Sequence, residues 1–193
     1  MGIFPTKIER MDLTMGFMTT NYADNKQTSG YSPLPTNEYE MIIKGATERS
    51  TKKGSESFTI DLVVRNDLNN VPGMEKTNGA YHDRHVFQDN WKSTIKGVYQ
   101  YDTDKFQYIL DAVGVPENTP IDSMDDLIKM ITGKPVLVYV KKEDNNYNGE
   151  VTQINRVAPW GYKKTKFASV GHEFKEKQTT AYTADVDDED LPF

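Results

Sequence analysis

Residues 58–65 read FTIDLVVR and form the stretch that decides the fold of this 193-residue chain. Its apolar side chains occupy every second position, namely Phe58, Ile60, Leu62 and Val64. A period of two is typical of a β-strand with one face in a core and the other toward water. The stretch therefore predicts a strand, with Phe58 in the core.

Two further strands are predicted around this one. Tyr39–Thr47 precedes it, across a turn at Lys52–Ser55. Arg84–Trp91 follows it, across a long loop, Asn66–Asp83, which contains two Gly and one Pro and has room for a short hairpin. The predicted fold therefore begins with three consecutive strands.

A helical segment separates these strands from the next ones. In Thr103–Val113 the apolar residues fall on one face of a helix. Ser123–Thr132 predicts a second helix, with Ser123 and Asp126 as a capping box and Gly133 as the terminator.

Two more strands, Pro135–Lys142 and Gly149–Val157, flank a predicted turn at Asp144–Asn148. Three strands, helices and two strands follow the order of an OB fold. The predicted fold class is therefore mainly β, a five-stranded Greek-key barrel of OB type with one or two helices between its third and fourth strands and a disordered acidic C-terminal tail. Another small β-barrel or an α+β domain is the alternative that this order leaves open.

Charge divides the chain into parts. The net charge is −6, but five of the 29 acidic residues lie in 185–193, which leaves 24 acidic against 23 basic residues elsewhere. Lysines are frequent just before this acidic end, so a near-neutral body, a basic connector and an acidic end are expected. The predicted division is an N-terminal extension at 1–36, a DNA-binding OB domain at 37–160, a flexible basic connector at 161–184 and an acidic partner-binding tail at 185–193.

The C-terminal tip reads Asp187-Asp188-Glu189-Asp190-Leu191-Pro192-Phe193. A run of carboxylates stays extended and repels DNA, whereas Leu, Pro and a terminal Phe suit a partner pocket with an apolar floor and a basic rim. The tip resembles the acidic C-terminal tip of bacterial single-stranded-DNA-binding proteins. A purely solvating acidic tail is the alternative interpretation.

The body is similar to a phage-encoded family of unknown function that has been linked to single-stranded-DNA binding. The matching stretches are residues 34–40, 60–66, 86–91, 109–116 and 133–149. Thr36-Asn37 stands where that family usually has Gly before the first strand. The resemblance implies an OB-like barrel that acts in phage DNA replication, recombination or repair within the bacterial cytosol, with replication or recombination proteins as partners of the tail.

Candidate DNA contacts are aromatic residues that stack on bases and cations that bind phosphates. On an OB barrel we expect them on the second and third strands and on the first and last hairpin loops. The candidates are Lys52, Lys53, Arg65, Tyr81, Arg84, Trp91, Lys141 and Tyr147. Phe87 is expected in the core rather than on the DNA surface, and Trp160 and Tyr162 are expected to cover the open end of the barrel.

Enzyme chemistry has weak support in this sequence. Cysteine is absent, which removes disulfides and thiolate sites, and no glycine-rich phosphate loop occurs. His82 and His85 would bind a metal only with further ligands. A metal-dependent nuclease needs several acidic residues on strand ends, for which Asp61, Asp83 and Asp89 are conceivable, but nothing in the sequence marks them out. We therefore predict no enzyme, no cofactor, no metal and no membrane association. A phage adaptor that binds protein rather than DNA is the main rival, and oligomeric state is left open.

Overall fold

The computed structural model describes residues 32–147 and 149–174 of the chain, without the side chain of Tyr147. The predicted acidic tail, 185–193, and residues 1–31 of the predicted N-terminal extension lie outside the described residues. Strands make up 41% and helices 17% of what is described, so the predicted mainly-β class is confirmed. No helix in this part of the chain is long and apolar enough to cross a bilayer.

The described chain contains eight strands. They are β1 (Asn37–Ser50), β2 (Glu56–Val64), β3 (His85–Trp91), β4 (Ser93–Ile95), β5 (Val98–Gln100), β6 (Pro135–Tyr147), β7 (Glu150–Arg156) and β8 (Tyr162–Lys164). Five of them form an antiparallel sheet in the order β3-β2-β1-β6-β7, with β8 also paired to β6, and β4 and β5 form a separate hairpin.

The sheet is open, so the prediction of a closed five-stranded barrel is wrong. Strands β3 and β7 stand at the two ends of the strand order, and no pairing joins them among the described residues. The partners of β6 change along its length. Its residues 135–140 pair with β1, whereas β7 pairs with residues 141–147, beyond the end of β1. β3 and β7 approach each other but form no strand pairing in the described part of the chain.

Three helices connect or cover the strands: α1 (Asn78–Tyr81), α2 (Asp104–Ala112) and α3 (Met124–Ile131). The two long helices match the predicted ones, and the Ser123 cap is confirmed because its Oγ accepts a hydrogen bond from the Asp126 N–H at 3.1 Å. The long loop before β3 contains α1 rather than a hairpin. The predicted turn at 144–148 is mostly strand, since β6 runs to Tyr147 and Gly149 takes the turn at φ 82°.

The core lies between the inner face of the sheet and the two long helices. The four alternating apolar residues of β2 are all buried, as predicted. Other buried residues are Tyr39, Met41 and Ile43 of β1, Val136, Val138 and Val140 of β6, Phe106, Ile109 and Leu110 of α2, and Leu127 and Ile131 of α3. Burial of one such side chain contributes about 1.5–3 kcal/mol.

Residues on both sides of the predicted domain pack against it. Leu34 is buried, and its backbone N–H and C=O both bond the Asn155 side-chain amide at 2.8 Å. After β7 the chain makes a single 3-10 turn, Pro159–Gly161, and then adds β8 to the sheet. The sequence assigned residues 161–174 to the basic connector, but the first of them, up to the end of β8, therefore belong to the folded domain.

Candidate functional site

The predicted DNA-binding residues do not lie on one surface. Lys52 and Lys53 are exposed in the turn between β1 and β2, as expected of contacts in the first hairpin. Tyr147 ends β6, but its side chain lies outside the described residues.

Arg65 is fully buried and bound by its own chain, so it is not exposed for DNA. Its guanidinium donates to the Asp67 carboxylate from Nε at 3.0 Å and from Nη2 at 2.5 Å, and to the Phe167 carbonyl from Nη1 at 2.7 Å. It also donates to the Ser169 carbonyl. We call Arg65, Asp67, Asn66, His172 and the backbone they bind the Arg65 cluster. Its role is structural, because it holds residues 167–173 against the loop after β2.

Tyr81 and Arg84 are also part of the folded framework. The half-buried Tyr81 ring packs edge-on against the Tyr39 ring, with centroids 6.1 Å apart. Arg84 is partly buried just before β3, and its carbonyl accepts a hydrogen bond from the Val64 N–H at 2.9 Å. Neither residue lines the groove that separates β3 from β6 and β7.

Trp91 lies on the outer face of β3, and Phe87 lies on the same face. The exposed fractions are 48% for Trp91 and 52% for Phe87, so the expectation that Phe87 belongs to the core is wrong. Polar Gln88 and Asn90 occupy the inner face instead. They do so because Gln88 Oε1 accepts a hydrogen bond from the buried Tyr162 hydroxyl, and the Asn90 amide donates to the Phe58 carbonyl at 3.4 Å.

A groove of about 840 Å³ separates β3 from β6, β7 and the 3-10 turn. Four half-exposed or exposed aromatic side chains line it: Phe87 (52%), Trp91 (48%), Tyr139 (44%) and Trp160 (70%). We call it the Trp91–Trp160 groove. It occupies the seam that pairing of β3 with β7 would have closed.

Trp160 reaches the groove because the chain turns sharply at its mouth. Gly161 follows it, and a Cβ on Gly161 would lie 3.2 Å from the Tyr139 carbonyl oxygen, so a side chain there would require a shift of a few tenths of an ångström between the turn and β6. Tyr162 is buried beneath. Because the sheet is open, the expectation that both aromatics cover the end of a barrel is not met: Tyr162 is part of the core, and Trp160 is exposed at the groove.

Cations line the same groove. Lys105 comes from the first turn of α2, and Lys141 and Arg156 are paired residues of β6 and β7. Glu143 lies between the last two, with its carboxylate 3.2 Å from Lys141 Nζ and hydrogen-bonded to Arg156 Nε. Hydrogen bonds from Arg156 and Lys141 lower the pKa of Glu143 below its ordinary value. An incoming anion must therefore compete with the Glu143 carboxylate for these two cations, and with the Asp102 carboxylate, 3.5 Å from Lys105 Nζ, for Lys105.

The histidines and aspartates considered for metal binding are separated. His82 bonds Asp83 at 3.1 Å and His85 bonds Asp61 at 2.7 Å, while the Asp89 carboxylate accepts from the Thr59 hydroxyl at 2.5 Å. Within the described ranges no three His, Cys, Asp or Glu side chains form a group that could hold a metal ion.

Sequence reasoning missed three groove residues: Tyr139, Lys105 and Arg156. Tyr139 had a readable signal, because Val138 and Val140 point inward and an intervening strand residue points outward. Lys105 and Arg156 had none, since their position beside Trp91 depends on the packing of α2 and on the register of β7.

The arrangement suits a ligand that combines flat apolar rings with negative charge. Comparison with curated proteins gives no match. The model of one family, described as "Protein of unknown function (DUF669)", matches residues 20–177, which include every described strand and helix. The chain therefore belongs to the DUF669 family of proteins.

Proposed function

We propose that this protein binds single-stranded DNA in the Trp91–Trp160 groove and recruits partner proteins through its acidic C-terminal tip. The observation that carries the first half is the presence of four solvent-exposed aromatic rings and three cations in one groove. Base stacking on such rings contributes about 1–3 kcal/mol per base and tolerates any sequence, because every base has a flat face. Cations add affinity that weakens as salt rises.

The proposal includes a fold of OB type that is open at one seam. The order β3-β2-β1-β6-β7 supports an OB fold that lacks the final pairing, and helices α2 and α3 stand between β5 and β6. OB folds bind oligonucleotides on the face of their second and third strands. Trp91 and Phe87 lie on the third strand of this sheet, which supports the same use here.

The second half of the proposal rests on the sequence of residues 187–193. Extended carboxylates keep the tip away from DNA, and Phe193 offers a ring beside the terminal carboxylate. We propose that the protein coats exposed strands during phage replication or recombination in the host cytosol, while the tip binds replication or recombination proteins.

A titration of the purified full chain tests DNA binding directly. Fluorescence anisotropy of labelled oligo-dT is compared with that of a duplex of equal length over a salt series. We expect binding of oligo-dT that is tighter than duplex binding and weakens linearly in log salt. Intrinsic tryptophan fluorescence should be quenched in the same titration, because bases stack on Trp91 and Trp160.

Failure to bind oligo-dT in dilute buffer would remove this function. A protein-binding adaptor would then be the better interpretation, with the same exposed aromatics as contacts for a protein surface. Cleavage of DNA on addition of magnesium or manganese would favour the nuclease alternative.

Truncation of residues 185–193 tests the division of labour. The truncated chain should bind oligo-dT as tightly as the full chain or more tightly, since carboxylates repel phosphates. It should lose its partners in pull-downs from infected cells. A loss of DNA affinity on truncation would contradict the proposed role of the tip.

A further inference from the structure

A second recess opens on the outer face of the sheet and shares Phe87 with the groove. Its volume is about 210 Å³, and strands β1, β2 and β3 all contribute to it. The residues that line it are Lys44, Gly45, Ala46, Thr47, Arg49, Thr59, Asp61 and Phe87. We call it the Gly45 recess. Phe87 lines both this recess and the Trp91–Trp160 groove, so one ring borders two concave surfaces.

The register of the sheet places these side chains in rows on one face. The rows across β1, β2 and β3 are Gly45–Asp61–Phe87, Thr47–Thr59–Asp89 and Arg49–Ser57–Trp91. Residues directly opposite one another in a sheet project to the same side. By strand geometry, Trp91 and Gly45 are about 13 Å apart along the strands and about 10 Å apart across them. An extended single strand can therefore run from one to the other across this face.

Gly45 makes the recess. It lies at an irregularity in the β1–β2 register, after Ile43, and nothing stands within 4 Å of the position that its Cβ would occupy. Its φ is not in the left-handed region, so the backbone does not require glycine here. Glycine within a strand often marks a place where a ligand approaches the backbone closely. At this position the missing side chain leaves open space above the sheet, beside an exposed aromatic ring.

Charge around the recess favours a phosphate backbone on one side. Lys44 and Arg49 are exposed on β1, and Lys44 Nζ also lies 5.9 Å from the centre of the exposed Phe174 ring. On the other side Asp61 is already bonded to His85, whose ring stacks on Phe87 at 6.0 Å. Phosphates are therefore expected over β1, with the base facing Phe87.

We infer that the Gly45 recess is a second nucleotide subsite, into which a single strand passes from the groove over Phe87. This inference rests on the proposed function. Short oligonucleotides then occupy the groove alone, and longer ones also place a base in the space above Gly45 and phosphates on Lys44 and Arg49. Affinity should therefore rise in two stages as the oligonucleotide is lengthened.

Filling the recess tests this inference. Gly45→Ile places a β-branched side chain in open space on a strand, where it should fold normally. The matched control is Thr152→Ile, an exposed strand position on β7 that lines neither the recess nor the groove. Affinities are measured with oligo-dT of about 4 to 16 nucleotides, the range of site sizes known for OB folds. Urea unfolding of each variant checks the fold.

We expect Gly45→Ile to bind the shortest oligomers with the same affinity as the unsubstituted protein. Its affinity for the longest ones should fall about tenfold, which corresponds to the contribution of one stacked base. Arg49→Gln should lower the salt dependence for long oligomers only. Unchanged affinity of Gly45→Ile at every length would overturn the subsite and leave the proposed function standing. Equal losses at every length would also overturn it, because the recess would then not be separate from the groove. An unsubstituted protein that binds no oligomer removes the proposed function itself.

Discussion

The Arg65 cluster and the Trp91–Trp160 groove use similar side chains in opposite ways. In the cluster the guanidinium of Arg65 is fully buried, and every partner is a carboxylate or carbonyl of the same chain. In the groove the rings of Trp91 and Trp160 are half-exposed or more, and Lys105 faces solvent. Folding satisfies the guanidinium of Arg65, although Nε2 of His172 in the same cluster has no hydrogen-bond partner among the described residues. The groove instead leaves its rings exposed and pairs its cations with carboxylates near the surface.

The difference separates stability from binding. Breaking the contacts between a buried cation and its partners lowers the free energy of unfolding strongly, while exposed rings and lysines contribute little to it. Substitutions in the cluster should therefore lower the free energy of unfolding, and they do not identify a DNA-binding surface. Substitutions in the groove should weaken DNA binding and leave the free energy of unfolding nearly unchanged. Four measurements test this contrast.

The largest effect is expected from Arg65→Met. The substitution keeps the apolar stem but removes the guanidinium donors of Asp67 and of two carbonyl oxygens, while Asp67 retains the Gly171 N–H as a donor. This loss should lower the free energy of unfolding by about 3 kcal/mol. Urea denaturation measures it. The control is Arg156→Met, which breaks an exposed pair with Glu143 and should scarcely move the midpoint. Equal stability of the two variants would remove the contrast between the two regions.

Next in size are Trp91→Ala and Trp160→Ala. Each should weaken oligo-dT binding about tenfold, because one stacking surface is lost, and change stability little. Anisotropy titration and urea unfolding are measured on the same preparations. Tyr108→Ala is the matched control, since Tyr108 is an exposed aromatic of α2 that does not line the groove. A loss of affinity in Tyr108→Ala of similar size would show that the groove is not the site.

A smaller effect is expected from Lys105→Gln. If Lys105 binds one phosphate, the slope of log affinity against log salt should fall by about 0.7. Lys129→Gln is a close control, because each lysine is an exposed helix residue near an aspartate three positions earlier, at 3.5 Å for Lys105 and 3.8 Å for Lys129. Only Lys105 lines the groove. Identical slopes for both variants would exclude Lys105 as a phosphate contact.

The smallest effect concerns His172 of the cluster. Its Nδ1 accepts the Asn66 N–H at 3.0 Å, and burial lowers the pKa of its imidazole below the ordinary 6.5. The unfolded chain then binds the proton more readily, so stability is lost as pH falls through the region below about 6.5. His172→Gln should lack this component of the pH dependence, and His82→Gln, on the exposed pair with Asp83, should keep it. Urea midpoints at about pH 7 and pH 5 compare the three proteins.

Regular patterns in the sequence predicted most of the framework. The alternation in β2, the apolar face of α2 and the Ser123 cap were all found where expected, because each depends on neighbouring residues. The site was predicted less well. Trp91 lies in the groove, but Arg65 is buried, and Phe87 was assigned to the wrong face because β3 has apolar side chains at both alternations.

By itself the sequence determined the mainly-β class and the position of the two long helices between the strands. These follow from local periodicity and composition. Tertiary structure alone decided that the sheet stays open between β3 and β7, and that Trp91, Trp160, Tyr139 and Lys105 line one groove. The physical reason is that strand register and the burial of Gln88 with Tyr162 depend on contacts between residues far apart in the chain, which no local pattern encodes.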